Sequence, residues 1–189
     1  MAARSIQGVC LLAVLVTVLS GFPALAKDKA DIVDVSLERT RGNLEVSFRL
    51  HNCFSPKMEE AIRAGIPTTF RFRIVVEKQR RLPFFQSPLV DIVFEHTIKF
   101  DRLRNRYRVQ LPEQPEREVS TSDFEEAKRS MSTVKDLPVI PLWRLGDRAN
   151  CQVLLKAELS KFYLPLLFRY IFFFVSLWDF ETDWYKVTF

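Results

Sequence analysis

The sequence predicts a mainly β protein, an antiparallel β-sandwich of immunoglobulin-like type with one or two short helices. Apolar and polar residues alternate with a period of two in several separate segments. Short connections with the length of hairpin turns join some of these segments, and only two segments carry helix-start signals. Seven or eight consecutive strands with so few helices favour an antiparallel sandwich over an α/β sheet.

Alternation defines six of the predicted strands, and the aromatic end of the chain is predicted to add the last ones. The alternating segments are residues 32–37, 44–50, 68–76, 90–100, 107–111 and 151–159. Polar residues 40–43 join the first two segments, which predicts a hairpin. His96 lies on the apolar face of its strand, so we expect a hydrogen-bonded core histidine rather than a catalytic base.

Two short helices are predicted from their end signals. Ser55 followed by Pro56 begins the first, because serine caps free amide groups and proline is tolerated in a first turn. Gly65 marks its end. Ser122 with Glu125 forms a capping-box pattern and begins the second helix.

Prolines define two predicted connections. Pro112 and Pro115 open an acidic loop ahead of the second helix. Pro138 and Pro141 are predicted to end that helix and lead into Trp143.

Residues 1–26 have the pattern of a cleavable export signal, with Arg4 before an uncharged apolar core and a cut after Ala26. We therefore expect a periplasmic protein whose mature part, residues 27–189, is a single β-sandwich domain without a transmembrane span. That part has 27 basic and 23 acidic side chains, a net charge of +4. An exported protein rarely meets nucleic acid, so the expected partner is a membrane surface or an unknown protein.

Cys53 and Cys151 remain after the predicted cleavage, in an oxidising compartment. A disulfide between them would close a loop of about 100 residues and stabilise the fold by about 4 to 5 kcal/mol. Trp143 lies between them in sequence, as a core tryptophan does in antibody domains. The alternative is two buried free thiols.

Four arginines at intervals of two form the clearest charged feature. They are Arg102, Arg104, Arg106 and Arg108. On one continuous strand they would point the same way and could face lipid head groups or an acidic partner. The alternative is a solvated strand face balanced by nearby glutamates, namely Glu113, Glu116 and Glu118.

The end of the chain, residues 162–189, holds 12 of the 24 aromatic residues. Arg169 interrupts its apolar run, so the pattern favours buried last strands over a membrane span, although both interpretations stay open. Four aromatic residues would be candidates for a partner contact if they were exposed together. They are Trp178, Phe180, Trp184 and Tyr185.

Motifs for catalysis or cofactor binding are scarce. His51 and Cys53 offer only one possible pair of metal ligands, so neither a metal site nor a cofactor is expected. Three acids interleaved with aromatic residues could suit a sugar-cleaving site, but a turn leaving the core shows the same pattern. These acids are Asp179, Glu181 and Asp183. We expect no enzyme.

The segment FFFVSLWDFETDWYKVTF at residues 172–189, together with GIPTTF at residues 65–70, resembles a bacterial family of exported proteins called domain of unknown function 4390. The family has no established activity to carry over. Its members are often encoded near a membrane sensor kinase, which implies an accessory role. The sequence thus predicts a periplasmic binding or interaction module of unknown ligand, with an envelope-associated accessory of a sensor kinase as the alternative and a glycan hydrolase third.

Overall fold

The computed structural model describes residues 29–40, 42–78, 88–114, 118–145, 151–160 and 180–189. The strands are β1 (Asp31–Thr40), β2 (Asn43–His51), β3 (Thr68–Lys78), β4 (Val90–Asp101), β5 (Arg106–Gln110), β6 (Glu118–Thr121), β7 (Thr133–Pro141), β8 (Cys151–Leu159) and β9 (Tyr185–Thr188). The helices are α1 (Pro56–Arg63) and α2 (Phe124–Ser132), with a short 3-10 turn at Leu142–Arg144.

The strands form two antiparallel sheets that enclose a common core. One sheet has the order β1-β2-β7 and the other the order β6-β5-β4-β3-β8-β9. Phe48 of β2 and Phe72 of β3 are buried and meet across the core with ring centroids 5.8 Å apart. Each such ring contributes about 2 to 3 kcal/mol by leaving water. The predicted antiparallel sandwich is confirmed.

The prediction of a connection after the second helix is wrong, because β7 runs through Pro138 and Pro141. β7 is an edge strand of the smaller sheet, where a residue without an N–H group removes no bond to a further strand. Asp136, with a φ of 50°, marks an irregularity where the pairing of β2 and β7 shifts register. The predicted acidic loop likewise contains β6, which pairs with β5.

The helix starts follow local capping. Ser55 accepts a hydrogen bond from the Met58 amide at 3.3 Å, and Pro56 opens α1 as predicted. The second helix begins after Asp123 rather than Ser122, because the Asp123 carboxylate accepts the hydrogen bond from the Glu125 amide at 2.9 Å.

The disulfide prediction is wrong, because Cys53 and Cys151 are both buried free thiols. Cys53 precedes Phe54, whose ring lies 5.2 Å from Phe70 near the start of β3, whereas Cys151 pairs with Lys78 at the end of β3. Strand residues advance about 3.3 Å each, so these two ends of β3 are about 26 Å apart, and a disulfide needs Cα atoms within about 7 Å.

Trp143 does not take the position of the core tryptophan in antibody domains. Its side chain is 81% exposed, in the 3-10 turn that follows β7. Neither helix within the described ranges is long and apolar enough to cross a membrane.

Candidate functional site

The predicted arginine stripe does not lie on one strand. β4 ends at Asp101 and β5 begins at Arg106, so Arg102 and Arg104 belong to a four-residue turn between them. The Asp101 carboxylate closes this turn by accepting hydrogen bonds from the amides of Leu103 and Arg104, both at 3.1 Å. Only Arg106 and Arg108 point the same way from β5.

The four arginines have different partners. Arg104 and Arg108 pair with the Asp101 carboxylate at 3.2 and 3.0 Å, and Arg108 also lies 3.8 Å from Glu118. Arg102 donates to the Ala64 carbonyl, and Arg106 donates to the Ser120 carbonyl at 3.2 Å. The part of the chain that the structure describes gives neither Arg102 nor Arg106 a carboxylate partner.

Among the residues that the structure describes, an open groove on the solvent face of the larger sheet is a candidate binding surface. We call it the sheet groove; its volume is about 230 Å³ and it is lined by Arg71, Arg73, Val93, Lys156, Glu158 and Trp184. These residues come from β3, β4 and β8 and from the residue before β9, four neighbours in the sheet. Chain segments distant in sequence therefore build it.

Strand register explains how the sheet groove forms. Arg73 of β3 lies between Val93 on β4 and Lys156 on β8. Trp184 comes next, because Tyr185 pairs with Leu155. Three inter-strand spacings of about 4.8 Å place Val93 and Trp184 about 14 Å apart.

Trp184 is the side chain in the groove that offers the largest aromatic surface. Its ring lies 5.9 Å from the Arg73 guanidinium and 5.4 Å from the Lys156 ammonium. These two cations hold the ring by cation–π attraction while 38% of the residue stays exposed. Val93, at the other end of the row, is 55% exposed.

Ion pairs fix the charged walls of the groove. Arg73 makes two hydrogen bonds to Asp91, at 2.9 and 2.6 Å, and Arg71 lies 2.9 Å from Glu95 and 3.6 Å from Glu158. The bond from Arg73 lowers the pKa of Asp91 and raises that of Arg73 itself. Both signs of charge are thus held in place beside exposed apolar surface.

The four aromatic residues singled out from the sequence separate into different environments. Phe180 packs on the core, with its ring 4.9 Å from that of Phe70 and perpendicular to it. Trp184 lines the groove, and Tyr185, 40% exposed, begins the neighbouring edge strand. Trp178 lies outside the described residues.

The acids near the end of the chain sit on the surface and pair with lysines. Glu181 pairs with Lys156, and Asp183 lies 2.7 Å from Lys29. Their side chains are 61% and 88% exposed, so neither acid lies in a deep pocket. Asp179 lies outside the described residues.

One histidine and one glutamate form a buried polar pair. His96, fully buried, has Nδ1 2.8 Å from the Met131 carbonyl oxygen and Nε2 3.1 Å from Glu113 Oε1. A carbonyl oxygen only accepts hydrogen bonds, so Nδ1 carries a proton, and a second proton must lie between Nε2 and the carboxyl group. The prediction of a hydrogen-bonded core histidine is confirmed, and the sequence did not indicate its partner.

His51 and Cys53, the one pair of possible metal ligands in the sequence, lie in different environments, because His51 is exposed at the end of β2 while Cys53 is buried. Within the described ranges, no group of three or more His, Cys, Asp or Glu side chains could hold a metal ion.

Comparison with known proteins gives a match to one family model over nearly all of the chain after the predicted signal. The model described as Domain of unknown function (DUF4390) matches residues 27–188. No curated protein and no solved structure matches the chain.

Proposed function

Because the chain belongs to the family called domain of unknown function 4390, we propose its function from its geometry: it is an exported, periplasmic interaction module that binds a protein partner in the sheet groove and catalyses no reaction. The observation that carries this proposal is the exposure of both Val93 and Trp184, at the two ends of a groove whose charged walls are held by ion pairs. Exposed tryptophan with arginine is the combination that most often dominates binding energy at protein interfaces.

The chemistry of the groove favours a peptide or protein over a small anion. Its cations Arg71, Arg73 and Lys156 each have a carboxylate partner, so an incoming anion would compete with ion pairs already made. A partner that lays apolar side chains on Val93 and on Trp184 would instead bury surface without breaking those pairs. Its flanking polar groups could meet charges of either sign.

Photo-crosslinking in living cells tests the groove directly. A photoreactive amino acid at Val93 should give a discrete adduct with a partner, and the same residue at Glu38, exposed on β1 of the other sheet, should not. Adding Trp184→Ala should remove the adduct, whereas Trp143→Ala, which removes an exposed tryptophan elsewhere, should leave it. Equal adducts from positions 93 and 38, or an adduct indifferent to Trp184, would reject the proposal.

Fractionation tests the export part separately. Release of the protein by osmotic shock, starting at Lys27 by N-terminal sequencing, is the expected result. A protein that retains residues 1–26 in the cytoplasmic fraction contradicts it.

The accessory role suggested by the family resemblance is the second candidate, and the same crosslinking experiment addresses it. Mass spectrometry of the Val93 adduct identifies the partner. A membrane sensor kinase in that adduct would support the accessory role, and a soluble periplasmic protein would support the simpler module.

A further inference from the structure

A second surface, remote from the sheet groove, has the form of a membrane contact. We propose that the turn at residues 102–105 inserts Leu103 between the head groups of an anionic lipid surface while Arg102, Arg104 and Arg106 contact the lipid phosphates. The sheet groove plays no part in this contact, so the two proposals can fail independently.

Leu103 is the first observation. Its side chain is 98% exposed, the greatest exposure of any large apolar residue in the described ranges. It stands at the tip of a hairpin between Arg102 and Arg104, with Arg106 at the start of the next strand. An apolar tip among cations is the arrangement that combines burial in the acyl boundary with attraction to anionic lipids.

The turn is rigidly built, which lowers the entropy cost of inserting it. Asp101 accepts from the amides of Leu103 and Arg104 and from the Arg104 side chain. Behind the turn, Arg102 donates to the Ala64 carbonyl at the end of α1, and its Nε lies 3.3 Å from where a Cβ on Gly65 would be. These bonds fix the turn, while the Leu103 side chain itself stays exposed to solvent.

Charge at this tip is in excess of its counter-charge. The single carboxylate of Asp101 is shared by Arg104 and Arg108, while Arg102 and Arg106 bond only to carbonyl oxygens among the described residues. Guanidinium groups bind phosphate oxygens in a two-pronged geometry that these carbonyl contacts leave partly available.

Vesicle co-sedimentation of the purified chain tests the proposal. We expect binding to vesicles of phosphatidylethanolamine and phosphatidylglycerol, and little binding to vesicles of phosphatidylcholine alone. Salt at about 0.5 M should abolish the binding, because it screens the attraction between surface charges. Leu103→Ala should weaken binding about tenfold, because a leucine side chain no longer enters the bilayer boundary. Arg104→Gln should weaken it about fivefold.

Two variants at the opposite end of the sandwich serve as matched controls. Trp143→Ala removes an exposed apolar residue and Arg39→Gln removes one positive charge, both near the turn between β1 and β2. Both should bind vesicles as the unaltered chain does. Circular dichroism checks that all variants are folded.

A label gives a readout that does not depend on affinity. A fluorophore attached at Leu103→Cys should shift its emission to the blue on vesicles, and one at Trp143→Cys should not; Cys53 and Cys151 are buried and do not compete for the label. Equal losses in control and turn variants, equal binding to neutral vesicles, or capture of an acidic protein with no vesicle binding would each overturn the proposal.

Discussion

His96 Nε2 lies 3.1 Å from Glu113 Oε1 inside the core, and His96 Nδ1 lies 2.8 Å from the Met131 carbonyl. The histidine therefore joins β4 to the end of α2 and to the chain after β5. Removing it leaves a buried carboxyl group without this partner, so His96→Ala should lower the free energy of unfolding by about 3 kcal/mol. Urea unfolding measures the loss.

Glu113→Gln is the matched variant for this pair. Its amide can still donate to Nε2, so we expect a loss of only about 1 kcal/mol. A loss for Glu113→Gln as large as that for His96→Ala would contradict the expectation that the amide can replace the carboxyl group in this bond.

Burial makes the thiols unreactive. It raises the pKa of Cys53 to about 12 and also raises the pKa of Cys151, and only the thiolate form is alkylated. Iodoacetamide at pH 8 should modify neither cysteine in the folded protein and both in urea. Mass spectrometry without reduction should find Cys53 and Cys151 as thiols; a mass lower by two hydrogens would indicate a disulfide.

Because the pKa of Cys53 is raised, the free energy of unfolding should decrease at alkaline pH. An unfolded cysteine loses its proton near pH 9 whereas folded Cys53 keeps it to about pH 12, so the stabilisation is complete below pH 9 and decreases as the pH rises. The slope from this thiol approaches about 1.4 kcal/mol per pH unit. Cys53→Ala should show a shallower decline between pH 9 and 11, and a parallel decline would contradict the assignment.

Asp101 organises the exposed turn through its charge. Hydrogen bonds, first of all that from the Arg104 amide, hold the pKa of this carboxyl group below its ordinary value. The bonds therefore stabilise the turn above the ordinary pKa of aspartate and are lost as the pH falls through the lowered one. In NMR titrations the amide signals of Leu103 and Arg104 should move together at that lowered pH. Asp101→Ala should abolish both transitions.

Gly65 connects α1 to the turn. It has a φ of +86°, and the amides of Gly65 and Ile66 bond back to Ile62 and Ala61 to close the helix end. Gly65→Ala should cost about 1 to 2 kcal/mol, through the left-handed backbone and the contact with Arg102. Gly42→Ala is the matched control, because Gly42 also has a positive φ but open space around its Cα, and it should cost less. Thermal unfolding compares the two.

Local sequence patterns were sufficient to predict the elements that depend only on residues close together in the chain. The long alternation through β3 and β4 and the Ser55-Pro56 start of α1 are found as predicted. β7 was not predicted because it contains prolines, which a strand tolerates at the edge of a sheet. The position of a strand in its sheet cannot be derived from the local sequence. The prediction that four arginines lie on one strand is wrong, because the Asp101 side chain closes a turn after β4. Alternation alone had suggested that the strand continues there.

Local sequence patterns could not predict the sheet groove, for a related reason. Trp184 could be named as a candidate, but only the pairing of β3 with β4 and β8, and of β8 with β9, places it in one row with Arg73 and Val93. The sequence did not predict the partner of His96 for the same reason. Glu113 follows β5, and its sequence neighbours suggest a solvated acidic loop.

The central place of β3 also determines the order in which the molecule can fold. One side of β3 pairs with β4, the next strand to be synthesised, while the other side pairs with β8, so that Lys78 meets Cys151. Until β8 arrives, the first strands form an incomplete sheet with an unpaired, apolar edge. Folding therefore waits for a distant segment, which predicts slow closure, in the range of milliseconds to seconds, and a period in which the nascent chain is vulnerable to aggregation.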